Sequence, residues 1–290
     1  MKFRRIQAEE DSFPVAMMCR LLRVSRAGFY AWRTRAESGR ARSNRELTVH
    51  IAAIHEESRR TYGSPRVHAE LRFRGRTVSL HRVARLMRAS GIHARRKRRF
   101  VRTTTTDPQL PIHPNVLARD FRAHLPNRVW TTDITYVPTR EGWLYLAVVE
   151  DLFSRRIVGW ATATCLERQL TLAALGMAIA LRIPSGGLVH HSDRGSQYAS
   201  FDYQKLLEQH GIQCSMSRRG NCLDNAPIES FFGTLKVELV HNQDFETVAG
   251  AHEAVVDFIE NFYNPRRRHS ALGYRSPIDY EHETRGTLAA

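Results

Sequence analysis

The chain has 290 residues, 42% hydrophobic and 25% charged, which describes a globular protein of two or three modules and excludes a disordered one. Its 44 Lys and Arg against 29 Asp and Glu leave a net charge of +15. The excess is uneven: residues 1–100 hold 25 basic and 8 acidic side chains, and the remaining 190 hold 19 and 21. A basic third ahead of a near-neutral body points to a polyanion-binding part joined to something else. Cys19, Cys165, Cys214 and Cys222 form no C-x-x-C pair, so neither a disulfide framework nor a zinc finger is expected. The opening MKFRRIQAEEDS turns polar at once, and the longest uncharged apolar stretch, 169–181, has 13 residues, short of the roughly 20 that a bilayer demands. A cytoplasmic protein is expected.

From Pro14, PVAMMCRLLRVSRAGFYAWRTR places apolar residues at helical spacing, and Ser25 stands where it can cap a second helix carrying Phe29, Tyr30 and Trp32. Helix, short turn, helix is either a DNA-binding helix-turn-helix or a packing hairpin, and the local charge favours DNA. Residues 45–57 read as an amphipathic helix, YGSPR (62–66) as a turn, and VSLHRVARLMRASGI as a helix capped by Ser79 and stopped at Gly91. Between Arg72 and Arg99 stand eleven basic residues and no acid: Arg72, Arg74, Arg76, Arg82, Arg85, Arg88, Arg95, Arg96, Lys97, Arg98 and Arg99. Such a run is ordinarily a solvated face. This one decorates a predicted helix and continues past its end, so it is read as a DNA phosphate-contacting surface. The expected segments are a helix-turn-helix-like 1–40, a basic helical DNA-binding module over 41–105, and a proline-bearing linker over 106–128.

The body then changes character. VWTTDITYV (129–137) alternates, with Trp130, Ile134 and Tyr136 on one face and Thr131, Asp133 and Thr135 on the other. WLYLAVV (143–149) is continuously apolar, as in a strand buried on both faces, and RIVGWATA (156–163) is a third strand. A helix over 167–182, a strand in LVHHSD, a helix over 201–210, a strand in IQCSMS and a helix in DNAPIESFFGTLKVE complete the order β-β-β-α-β-α-β-α. That order predicts an α/β fold, a mixed sheet flanked by helices over 129–240, with a C-terminal helix and tail over 241–290.

Three acids stand out. Asp133 lies in mid-strand, where Asp is depleted; Asp193 closes the fourth strand; Glu229 sits early in a helix that has Pro227 in its first turn and Asp224 or Asn225 as its cap. Each has a plain structural alternative: a turn bond, a loop cap, a favourable place in the helix dipole. Together, behind a basic module, they match one chemical demand. Phosphodiester cleavage with hard cations needs several oxygen ligands on rigid elements, and two Mg²⁺ ions roughly 3.5–4 Å apart would activate the attacking oxygen and stabilise the leaving one. Glu229 and Lys236, two turns apart, share a helix face. His190 and His191 alternate along a strand and are read as packing and DNA-contact residues rather than ligands. Asp151 is read as a structural acid paired with Arg155 or Arg156.

TTDITYV, HHSDRGSQY, DNAPIESFFGTLKVE and YNPRRRHSALGYRSPIDYE, in this order, resemble the OrfB-type transposases of bacterial insertion sequences, the IS-three family. That family belongs to the DDE transposase and retroviral integrase superfamily, and the similarity runs from about Pro14 to Glu281. It implies a ribonuclease-H-like core, and 35 residues between Asp193 and Glu229 match the family's hallmark spacing. Carried over residue by residue, the resemblance makes Asp133, Asp193 and Glu229 the catalytic, metal-binding triad, and Lys236 a companion base that touches DNA near the reacting phosphate. Asn221 and Leu223 depart from the family's usual Asp and Trp, and neither replaces a ligand. The implied activity is that of a transposase, a polynucleotidyl transferase on DNA phosphodiesters. It would use two Mg²⁺ ions, with Mn²⁺ able to substitute, to cut transposon ends and transfer strands. The implied partners are transposon-end and target DNA, further copies of the chain on that DNA, and an upstream DNA-binding product, separate or fused; no sustained heptad pattern is present. A nuclease without strand transfer would not need so large a basic module, and a repressor with an idle body would not need the three acids.

Overall fold

The computed structural model describes residues 1–94, 112–218 and 222–288. Contacts divide the chain into two compact units, Met1–Ala53 and Ile54–Ala290. In the first, α1 (Lys2–Ala8), α2 (Val15–Leu21) and α3 (Arg26–Arg33) enclose a small core of Ile6, Met18, Cys19 and Phe29. Phe3 and Trp32 pack on that core. Ser25 caps α3 as its position predicts, its hydroxyl accepting from the Gly28 N–H at 3.0 Å. The long α4 (Gly39–Glu57) runs through the division between the units.

The second unit begins with two more helices, α5 (Ser64–Phe73) and α6 (Leu80–Ala89). YGSPR is only partly a turn: Pro65 falls in the first turn of α5, where its missing N–H leaves no helical bond unmade. Ser79 caps α6 by accepting from Arg82 N–H at 3.3 Å, and Gly91, at φ +67°, follows the helix.

The sheet comprises β1 (Val129–Thr139), β2 (Gly142–Asp151), β3 (Arg156–Ala163), β4 (Val189–Ser192) and β5 (Gln213–Met216). Its order is β3-β2-β1-β4-β5. β1, β2 and β3 form an antiparallel meander, while β4 runs parallel to β1 and β5 parallel to β4. This is the ribonuclease-H-like arrangement that the resemblance implies. Trp130, Val149, Val158 and Met216 turn one face of the sheet toward α7 (Arg168–Arg182), the short α8 (Ser196–Ala199) and α9 (Phe201–Gln209), which contribute Leu175, Tyr198 and Tyr203. On the opposite face Leu146 and Val148 are fully buried. Here lie α10 (Ala226–Glu238) and α11 (Val248–Val256), the latter continuing as a π-helical stretch, Asp257–Tyr263. Thr131 and Thr135 share that face and are buried, so β1 is covered on both sides rather than presenting a solvated polar face. Asn264 fixes β3 by donating to the Ile157 carbonyl and accepting from its N–H, both at 2.9 Å.

The last helix, α12 (Pro277–Leu288), is held by charge. Glu281 accepts from Ser154 at 2.7 Å, Arg156 at 2.9 Å and Arg182 at 2.8 Å, and Arg182 also reaches Asp151 at 2.8 Å. Asp151 is therefore structural, but its partner is Arg182, not Arg155 or Arg156. Arg156 belongs to Glu281, and Arg155 stands 3.8 Å from Glu150.

Candidate active site

β1 and β4 run side by side only from Val129 to Thr131, opposite Val189 to His191, and then part. On one side of the parting point the next residue but one is Asp133. On the other, β4 ends at Ser192 and Asp193 enters a tight turn, its Oδ1 accepting from the Gly195 N–H at 2.8 Å. The start of α10 is tied to the same place, because Asn225 Nδ2 donates to the Thr132 carbonyl at 3.2 Å. Glu229 lies in the first turn of that helix and is exposed.

The charges are close enough to act on one another. Burial pushes the Asp133 carboxyl well above the usual carboxylate range; the negative charges of Asp193 and Glu229 push it further, against a 2.7 Å bond from the Ile134 N–H and the attraction of Lys236. Asp193 is raised by burial and held back by the Gly195 N–H. The Tyr198 hydroxyl, bonded to Thr132 Oγ1 at 3.4 Å, is raised by burial and then by Asp133 and Asp193. Burial lowers Lys236, with Asp133 opposing, and its Nζ lies 4.9 Å from the centre of the Tyr136 ring. The fold thus brings Asp193, Glu229 and Lys236 close enough for their charges to act on Asp133, across just over a hundred positions of chain.

The donor set suits a hard cation: carboxylate oxygens alone, two of them destabilised by burial and one by its neighbours' negative charge, a repulsion that a bound cation relieves. Among the described residues, no three His, Cys, Asp or Glu side chains are grouped so as to hold one ion as they stand.

His190 and His191 pack, as expected, but are too deeply buried to meet DNA. His190 contacts the Tyr203 hydroxyl at 3.1 Å; His191 lies between Ser215 Oγ at 2.9 Å and Ser217 Oγ at 3.1 Å. Burial lowers their pKa values to about 3 and about 4, so both rings are neutral. Of the basic run, Arg72, Arg76, Arg85 and Arg88 are exposed and Arg82 is half-buried. Arg74 is engaged by two carboxylates, Glu57 and, at 2.8 Å, Glu70. Arg95, Arg96, Lys97, Arg98 and Arg99 lie outside the described residues.

Two residues beside the site, read from the sequence as alternative caps of α10, have other partners. Asn225 is the N-cap of α10 by position, yet its side chain does not cap the helix; it reaches β1 instead. Asp224 is fully buried and accepts from Asn115 at 2.9 Å, Arg119 at 2.7 Å and Arg218 at 2.7 Å. That cage anchors the approach to α10 and holds its carboxyl far below the usual range, through Arg218 above all.

Family profiles described as "Integrase core domain" match residues 123–222 and 210–277, the first spanning Asp133 and Asp193 and the second Glu229 and Lys236. One described as "HTH-like domain" matches residues 42–100. The Shigella sonnei insertion element IS600 31 kDa protein is 44% identical over 263 residues, covering 91% of this chain and 97% of its own length. The Escherichia coli K12 transposase InsF of insertion sequence IS3A is 41% identical over 286 residues, covering 98% of this chain and 99% of its own. Among solved structures, the simian T-cell lymphotropic virus intasome aligns with a TM-score of 0.47 at 17% identity, over 80% of this chain and 74% of that one. The HTLV-2 integrase catalytic core in complex with magnesium aligns with a TM-score of 0.42 at 19% identity, over 56% of this chain and all of that one. On this similarity along nearly its whole length, the chain belongs to the IS3 family of insertion-sequence transposases, polynucleotidyl transferases built on an integrase core.

Proposed function

We propose that this transposase cuts DNA at the ends of its mobile element and joins the freed 3′-hydroxyl to a second phosphodiester, with Asp133, Asp193 and Glu229 holding two divalent cations, Mg²⁺ or Mn²⁺. The observation that carries this reading is that Asp133, where β1 and β4 part, feels the charges of Asp193, Glu229 and Lys236 together. Bound cations would supply activation of the attacking oxygen and stabilisation of the leaving one. The protein's own part is positional. The backbone N–H groups of Ile134 and Gly195 each hold one oxygen of their aspartate, leaving the second oxygen of each for a ligand role. Lys236 brings a positive charge to a site that would otherwise repel a phosphodiester, and as an ammonium it acts on the DNA and not as a ligand. The exposed arginines of α5 and α6, with the basic residues beyond them, supply phosphate contacts away from the chemistry. Two element ends must meet for joining, so further copies of the chain assemble on the DNA, with or without an upstream product.

The test uses the full-length protein and a labelled duplex carrying an element end. Wild type yields cleaved and joined products in Mg²⁺; Asp193→Asn binds the end with little change in affinity and yields neither. Nicked DNA without joined product from the wild type makes the chain a nuclease, and efficient cleavage by Asp193→Asn removes Asp193 from the site.

A further inference from the structure

Beyond the carboxylates, at the far end of the β1–β2 hairpin, stands an aromatic pair. Tyr136 and Trp143 meet edge to face, ring centres 4.8 Å apart and planes at 83°. Trp143 pairs with Pro138 across the hairpin, so it sits diagonally from Tyr136 on one face of the sheet. The chain has four tryptophans. Trp130 is buried in the sheet core, Trp32 packs against the core of the first unit, and Trp160 donates to Glu260 at 2.7 Å. Trp143, by contrast, leaves 49% of its surface exposed. An exposed tryptophan ring is a surface suited to cover by another flat group.

Lys236 links this pair to the carboxylates, its Nζ 4.9 Å from the Tyr136 ring centre while its charge acts on Asp133. Of the acids at the hairpin turn, Asp244 bonds Arg140 at 2.6 Å and Glu246 lies 3.8 Å from it, while Glu141 accepts from the Val248 N–H at 2.7 Å. A strand whose phosphate is held at the carboxylates and Lys236 thus meets an aromatic surface as it leaves. Strand geometry sets the spacing. Tyr136 is three residues from Asp133 and so on the other face of β1, round the strand edge left free once β4 has parted from it, and Trp143 lies opposite the fifth residue on, about 10–17 Å along the strand at a rise of about 3.4 Å per residue. At about 3.4 Å per nucleotide along a strand, that is roughly three to five nucleotides.

We propose that Tyr136 and Trp143 form a stacking subsite for one nucleobase of the reacting DNA strand, about three to five nucleotides from the phosphate at the carboxylates, holding that base out of its duplex stack. The subsite rests on the function proposed above. Stacking on an aromatic ring tolerates any base, so it contributes engagement of the end rather than sequence readout. Unstacking is least costly where a base is unpaired, so an end already open at that position should depend less on Trp143.

The experiment places 5-iodouracil singly at each of the first seven positions from the reacting phosphate, irradiates the complex with full-length protein without metal, and maps the cross-linked peptide. A cross-link to Tyr136 or Trp143 is expected at one position within the window, lost in Trp143→Ala and retained in part by Trp143→Phe. Trp143→Ala should weaken end engagement roughly ten- to hundred-fold. Removing the opposing base at that position should recover most of the loss, which a merely structural residue would not show. Cross-links without positional preference, or none between residues 136 and 143 while the DNA is bound, overturn the subsite. So does a Trp143→Ala protein whose only change is its oligomeric state, which would make the pair a protein contact. The cross-link needs no catalysis, so failure of the carboxylate assignment would leave it standing and remain distinguishable from it.

Discussion

At the residue scale, the buried charges divide into those with partners and those without. Arg267 is almost wholly enclosed yet bonds Glu238 at 2.7 and 2.8 Å, and Arg268 bonds Glu70 at 2.9 Å, so the RRR of the C-terminal motif is in large part structural rather than a DNA contact. Glu150 is the exception. It is 1% exposed and faces a cavity of about 470 Å³; its Oε2 has no hydrogen-bond partner among the described residues, and Arg155 stands 3.8 Å from Oε1. Burial outweighs that arginine and pushes the carboxyl up to about 8. A carboxyl whose folded pKa exceeds its unfolded value favours folding while both states are protonated, and that advantage is lost as pH climbs from about 4.5 to about 8. Glu150→Gln has no charge to bury. It should unfold much like wild type at pH 4.5 and be more stable at pH 7, by on the order of 3 kcal/mol. Urea titrations at the two pH values check this; equal gains at both would mean that Glu150 is not titrating with folding.

At the scale of elements, the third strand shows what the sequence made legible and what it did not. RIVGWATA is read as a strand from its β-branched and aromatic content, and β3 has those bounds. Nothing in the string says why Gly159 must stay small. A Cβ there would lie 2.2 Å from the Ala174 carbonyl oxygen and 2.7 Å from Ala178 Cβ, so α7 rests directly on the strand. Gly159→Ala must shift backbone rather than a flexible tip, and a loss of roughly 1–3 kcal/mol or more is expected in denaturant unfolding. An unchanged midpoint would show that α7 is free to move away. The same divide holds at the site. Asp133, Asp193 and Glu229 stand out locally as a strand position, a strand end and a helix start, and the family's motifs are what join them into one candidate set. The role of Asn225 is not legible, because Thr132, which defines it, lies 93 positions away; of the groups that cage Asp224 only Arg218 is near in sequence, Asn115 and Arg119 standing 109 and 105 positions off. For Asp151 the local guess favoured near arginines, and the fold supplied Arg182, 31 positions on.

At the scale of the molecule, the helical module ahead of the sheet is built into the second unit. Tyr62 accepts from the Arg268 N–H at 2.7 Å, Arg59 bonds Asp257 at 2.5 Å, and Arg268 reaches Glu70 on α5. The compact division falls at Ala53, well before the end of the basic run. Removing residues 1–53 should therefore leave a folded protein, whereas removing 1–105 strips Glu70 from the buried Arg268 and should lower stability by about 3 kcal/mol or more. Thermal unfolding of the two truncations checks this; equal midpoints would mean that the module merely adjoins the sheet.

The central claim is that Asp133, Asp193 and Glu229 act as one unit. It is tested most directly by Mg²⁺-dependent cleavage rates for wild type, Asp133→Asn, Glu229→Gln and the double variant, all at equal end occupancy. Ligands of one cluster are grossly non-additive. Each single change should cost at least about a thousandfold and the double change less than about tenfold more. Losses that multiply, or a single variant that cleaves at the wild-type rate, would contradict the account.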